Sequence, residues 1–199
     1  MKITGITQQQ KRQGRYSIFV DGRYAFSLSE SALLDSHVAS GQELTPAQVK
    51  KYKQLSADDK LYNLALRYAV MRPHSRWELE TYLTRKGASP SLLERILNKL
   101  SKIDLLDDAA FARGWIANRR LLGARSRRRL AQELRAKRVS DEILEQVLRE
   151  DDTDEQSVLI DLVARKRKQA KYQDDTKLMQ YLARQGFSYD DIREVIKNM

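Results

Sequence analysis

Ten arginines and lysines fall within residues 113 to 138, namely Arg113, Arg119, Arg120, Arg125, Arg127, Arg128, Arg129, Arg135, Lys137 and Arg138, against a single acid, Glu133. The segment thus carries +9 of a net charge of +10, and the other 173 residues sum to +1. Guanidinium groups at this density suit phosphate or carboxylate oxygens, which they bind through paired N–H donors. With Ser126 as a helix cap, Arg127, Arg128 and Arg129 fill the first turn, beside the positive end of the macrodipole. Each exposed cation there costs about 0.3 to 1 kcal/mol. The same helix start offers free backbone amides, so the arrangement reads as a receptor for anions. A local rule broken without structural gain is where function is expected. The alternative, a merely solubilising face, fits poorly with clustering in one segment. A second run, Arg165, Lys166, Arg167 and Lys168, is the secondary candidate, and the acidic run from Glu150 to Glu155 lies between the two.

Other chemistries find little support. The chain has no cysteine, so thiolate metal sites, disulfides and cysteine nucleophiles are excluded. His37 and His74 are solitary, no serine sits in a nucleophile elbow, and no Gly-rich loop could cradle a phosphate. Of five Asp-Asp pairs, those at 58/59, 107/108 and 174/175 lie just before expected helix starts, where capping accounts for them. No metal, cofactor or catalytic activity is therefore expected. Trp115 falls in register with Leu64 and Val163 and reads as core, whereas Trp77, aligned with Arg128 and Thr176, reads equally as half-exposed near a binding face or as packed beneath the amino-terminal module. Apolar runs reach only four residues, as in 68–71, and the start of the chain carries no apolar stretch. A cytoplasmic, membrane-free location is the expectation.

These residues must be positioned by helices. Leu79, Leu83, Ser89, Leu93, Ile96 and Leu97 recur 51 residues later as Leu130, Leu134, Ser140, Leu144, Val147 and Leu148. A third set, Leu178, Leu182, Ser188, Ile192, Val195 and Ile196, follows after 48 more. Each copy reads as three helices, at 57–72, 75–87 and 89–101 in the first, and each apolar stripe needs neighbours to cover it. Ser75 with Glu78 fits a capping box, Ser89-Pro90 a cap before a proline, and Gly87 and Gly186 a reversal at positive φ. Ahead of the repeats, two aromatic-rich runs flank Asp21-Gly22 as a hairpin, with 2–7 as a third strand. Short helices follow over 29–38 and 46–55. The expected architecture is mainly α: three tandem three-helix repeats in an elongated, curved array, with a small amino-terminal β-hairpin module. The boundaries are 1–56, 57–103, 104–151 (the basic repeat) and 152–199.

A family resemblance rests on motifs spread over 57–198. Arg72-Pro73, Ser75, Glu78-Leu79, Leu83 and Lys86-Gly87 precede Leu105-Leu106-Asp107-Asp108 and Phe111-Ala112. Arg119, Gly123, Leu130, Glu133-Leu134 and Lys137 then follow. In this order and spacing they resemble the RecX family of RecA regulators. The chain departs from the family pattern at Lys137-Arg138, where Lys-Gly is usual, and at 124–127, where a proline is missing. The resemblance implies a non-enzymatic, monomeric modulator of the RecA filament on single-stranded DNA, lying along its groove. It would hinder ATP hydrolysis, strand exchange and coprotease activity, in recombination, DNA repair and the SOS response. A basic repeat suits such a phosphate-loaded polymer, with Arg119, Arg120, Arg125, Arg127, Arg128 and Arg129 as the main contact. Two other readings are a duplex-binding helix-turn-helix transcription factor and an adaptor for an acidic protein surface.

Overall fold

The computed structural model describes residues 1–11 and 13–198, which divide into two compact units. The first comprises Met1–Arg72 with Glu80–Ile103, and the second Pro73–Leu79 with the chain from Asp104 onward.

In the first unit, strands β1 (Ile3–Gln8), β2 (Arg15–Val20) and β3 (Arg23–Ser29) form an antiparallel sheet in that order. Asp21 and Gly22 both take positive φ, 48° and 76°, the geometry that matches a two-residue turn to the twist of its strands. Ile3, Ile18, Phe26 and Leu28 point to one face and pack with Val38, Leu44 and Val49. Helix α1 (Glu30–Ser36) starts from Ser29, whose hydroxyl accepts from the Ala32 amide at 3.3 Å.

Helix α2 (Pro46–Met71) replaces the two separate helices expected over 46–55 and 57–72. It starts from a Thr45/Gln48 capping box and runs on without a break. The residues taken for a junction are instead turned against the sheet. Ser56 donates its hydroxyl to the Ser27 carbonyl at 2.6 Å, and Asp59 accepts from Arg15 at 2.9 Å and from the Ser29 amide at 2.9 Å. The Asp58-Asp59 pair is thus not a cap, and Asp59 forms a buried ion pair with Arg15.

The helical repeat is carried by α3 (Arg76–Arg85) and α4 (Pro90–Ser101), α5 (Asp108–Leu122), α6 (Arg127–Ala136) and α7 (Asp141–Glu150), then α8 (Glu155–Arg167), α9 (Asp175–Arg184) and α10 (Tyr189–Lys197), with a 3-10 turn at Ala170–Tyr172. Leu79, Leu130 and Leu178 are fully buried, as are Leu83, Leu134 and Leu182. Ser89, Ser140 and Ser188 cap the last helix of each trio. The preceding turns pass through Gly87 (φ 85°), Arg138 (φ 59°) and Gly186 (φ 95°), so in the middle copy an arginine holds a conformation that favours glycine. Asp107 and Asp174 cap α5 and α9 as expected. The protein is mainly helical, with one small sheet at its amino terminus.

Two apolar clusters lie in the second unit from α5 onward, among the described residues. Phe111, Ile116, Leu130, Leu134, Leu144 and Val147 form one, and Leu159, Val163, Leu178, Leu182, Phe187 and Ile192 form the other. Ala124, in the loop before α6, belongs to the second and ties the two trios together. Among the described residues, no helix is long and apolar enough to cross a membrane.

Candidate functional site

Ser126 caps α6 as expected, its hydroxyl accepting from the Arg129 amide at 3.1 Å. The Arg127 amide beside it is not open, however. The Arg127 amide donates to the Glu155 carboxylate at 3.0 Å, so the first turn of α8 supplies the anion that the macrodipole attracts. The preceding trio uses the same device, its Arg76 amide donating to Asp108 at 2.7 Å. The expectation of a vacant helix-start receptor is corrected accordingly. The Arg127 guanidinium also turns inward, to the Asp151 carbonyl at 2.6 Å.

The cations of 113–138 meet acids from elsewhere in the chain. Arg113 pairs with Glu150 at 2.8 Å, Arg120 with Asp151 at 2.7 Å, Arg135 with Asp141 at 2.8 Å and Lys137 with Glu78 at 2.7 Å. Glu133 serves three guanidiniums at once: Arg119 at 2.8 Å, Arg129 at 3.4 Å and Arg125 at 3.6 Å. Burial pushes the Glu133 carboxyl up, but hydrogen bonds from Arg119 and Trp115 and the charges of Arg119 and Arg125 outweigh it and hold it below its ordinary value. At Asp151 burial likewise pushes up, and bonds from Thr153 and Arg120 prevail. Trp115 is half-buried rather than core. Its indole donates to Glu133 at 3.0 Å and its ring carries the Arg119 guanidinium 4.4 Å from the centroid.

The patch is therefore internally braced yet undercompensated. Three arginines share one carboxylate, while Arg128 and Arg138 are exposed and their guanidiniums have no polar partner among the described residues. In the second run, Lys166 lies over the Tyr181 ring at 4.7 Å and Arg167 bonds Asp175 and the Gln173 carbonyl. Arg165 and Lys168 remain exposed and line a cleft of about 460 Å³ with Arg120 and Asp161.

A larger cleft, about 860 Å³, opens where α6 meets the turn between α9 and α10. It brings together Arg125, Arg128 and Arg129 with two residues absent from the sequence expectation, Arg184 and Tyr189. Both are exposed, Tyr189 by 55%. The signal for Arg184 was its place at the C-terminal end of a repeat helix, which alone reads as ordinary dipole compensation.

Comparison with known proteins decides the family. A model of the regulatory protein RecX N-terminal domain matches residues 1–45, and models of the first, second and third three-helix domains of RecX match 62–100, 107–148 and 153–196. The chain belongs to the RecX family. It is 35% identical over 194 residues to the regulatory protein RecX of Lactobacillus delbrueckii subsp. bulgaricus, covering 94% of this chain and 71% of that protein. Against the RecX of Lactobacillus johnsonii it is 37% identical over 155 residues, 78% of this chain and 57% of the relative. A crystal structure of a regulatory protein RecX matches with a TM-score of 0.78 at 27% identity, covering 100% of this chain and 99% of that one.

Proposed function

We propose that this RecX-family chain binds the RecA filament on single-stranded DNA and restrains its ATPase, strand exchange and coprotease activities, acting as a cytoplasmic monomer with no catalysis of its own. The reading rests on the undercompensated cationic face of the second unit, where Arg125, Arg128, Arg129 and Arg184 converge on one cleft. A polymer dense in phosphates attracts such a surface, and weak contacts to successive protomers add through effective concentration.

Arg128 and Arg184 are the cleanest probes, because neither is engaged in an ion pair that holds the fold together. RecA ATPase and strand exchange on single-stranded DNA are titrated with the chain and with the double variant Arg128→Glu/Arg184→Glu. The parent chain inhibits both, and the variant needs about tenfold more protein for the same effect. Absence of inhibition by the parent chain would overturn the proposal.

A further inference from the structure

The two junctions between successive helical trios in the second unit are built alike, and they differ in one exchange of charge. In each, the first-turn amide of a trio's second helix donates to a carboxylate that opens the next trio: Arg76 to Asp108 and Arg127 to Glu155. In each, that helix start also meets a residue from the turn that precedes the following trio's last helix. At the first junction Glu78 pairs with Lys137 at 2.7 Å, with the Glu78 carboxylate itself buried. The repeat places Arg129 where Glu78 stands and Gln185 where Lys137 stands. At the second junction the Ser126 hydroxyl donates to the Gln185 carbonyl at 3.1 Å and the Arg125 guanidinium donates to the Gln185 side-chain carbonyl, while no acid stands where Glu78 stands in the first.

Gly186 lets the two walls approach this closely. A Cβ there would sit 2.3 Å from the Ser126 hydroxyl and 2.9 Å from the Arg129 Cβ. The cleft above this contact is lined by Arg125, Arg128, Arg129 and Arg184, with Tyr189 at its rim, and no acid is among its lining residues. Glu133 lies behind Arg125 and Arg129 and is shared with Arg119, while Asp190 follows Tyr189 in the chain and Asp191 accepts from the Ser188 hydroxyl, so among the described residues no carboxylate is paired with Arg128 or Arg184.

We propose that this cleft is a seat for single-stranded nucleic acid, with the four arginines taking consecutive phosphates and the exposed Tyr189 ring stacking on a base. Glu133 meets Arg125 and Arg129 from within the chain, and the ligand supplies the negative charge that Arg128 and Arg184 lack. The proposal deepens the RecA-filament reading and rests on it. An exposed tyrosine favours a single strand over an acidic protein, because unpaired bases offer flat faces and carboxylates do not. A concave joint between helices favours it over a duplex, whose base edges are read by an element that protrudes into a groove.

The test uses the full chain without RecA, read by the fluorescence anisotropy of a 5′-fluorescein-labelled oligothymidylate over a range of salt concentrations. Arg128→Glu/Arg184→Glu flattens the log-log salt slope by about 1.4, two phosphates at about 0.7 each. Tyr189→Ala weakens binding by roughly 5- to 100-fold with the slope unchanged, and circular dichroism checks that both variants remain helical. Polyglutamate of similar length competes poorly in support of the proposal, whereas competition equal to that of unlabelled oligothymidylate overturns it in favour of an acidic protein partner. Unchanged affinity in Tyr189→Ala also overturns it. The two readings separate cleanly. Variants that lose the oligonucleotide yet still inhibit RecA uphold the cleft and remove it from the filament contact. Variants that bind the oligonucleotide normally yet no longer inhibit RecA refute the cleft and leave the filament reading standing.

Discussion

Glu133 shows how far one side chain decides the state of the cationic face. It is the one acid inside the basic segment, and three guanidiniums and an indole N–H converge on it. Removing its charge leaves Arg119, Arg125 and Arg129 to repel one another around a partly buried amide. The arginines are about a third or more exposed, so the loss lies between that of a surface pair and a buried one, about 1 to 2 kcal/mol for Glu133→Gln at neutral pH. The sign with pH follows from the carboxyl's depressed pKa. Its contribution is complete above the ordinary value near 4.3 and is lost as the pH falls through the lower, folded value. The melting-temperature gap between parent and Glu133→Gln, followed by circular dichroism from pH 7 to pH 3, closes below about pH 4.5. A gap that stays constant to pH 3 refutes an ionic role for Glu133.

At the scale of elements, the three equivalent turns before α4, α7 and α10 make a graded series. Gly87 has nothing near a would-be Cβ, so Gly87→Ala costs only the left-handed backbone, about 1 to 2 kcal/mol. Gly186→Ala adds a clash with Ser126 and Arg129 and costs about 2 to 4 kcal/mol, since the backbone of α6 must move. Arg138→Gly relieves a strained conformation but adds freedom to the unfolded chain, for a net gain of up to about 1 kcal/mol. Urea unfolding of the three variants checks this order, and equal losses for Gly87→Ala and Gly186→Ala contradict the close approach at the second junction. The Gly87 and Gly186 turns, the serine caps and the apolar stripes were legible in the sequence because each depends on residues within a few positions of one another, whereas the left-handed turn at Arg138 carries no glycine to mark it. The continuity of α2 was not, since Ser56 and Asp59 resemble a cap until the sheet that accepts them is in place. Nor were the partners of the arginines. Glu78 lies 59 residues from Lys137 and Glu155 lies 28 from Arg127, separations on which no local pattern bears.

For the molecule as a whole, assignment of charges to the two units changes the picture of a single basic patch. The first unit carries sixteen Lys and Arg against eight Asp and Glu, a net +8, while the second carries twenty-one against nineteen, a net +2. The acids that brace the arginines cancel most of the second unit's long-range field but leave its unpaired guanidiniums available for contact. The second unit sets the unpaired Arg128 and Arg184 beside Arg125 and Arg129 on one cleft, while the first unit's excess is exemplified by the exposed Lys50, Lys51 and Lys53 on α2. Charge outside the contact surface raises the association rate, whereas groups in the interface govern dissociation. Reversing Lys50, Lys51 and Lys53 to Glu takes the net charge from +10 to +4 and should slow association with immobilised RecA filaments several-fold at low salt. Dissociation should hold steady, and the association difference should fade above about 0.5 M salt, where screening acts within a few ångströms. Arg128→Glu/Arg184→Glu, which changes the net charge less, should mainly speed dissociation. Biolayer interferometry at two salt concentrations separates the two rates. Faster dissociation from the lysine variant would move the contact surface into the first unit.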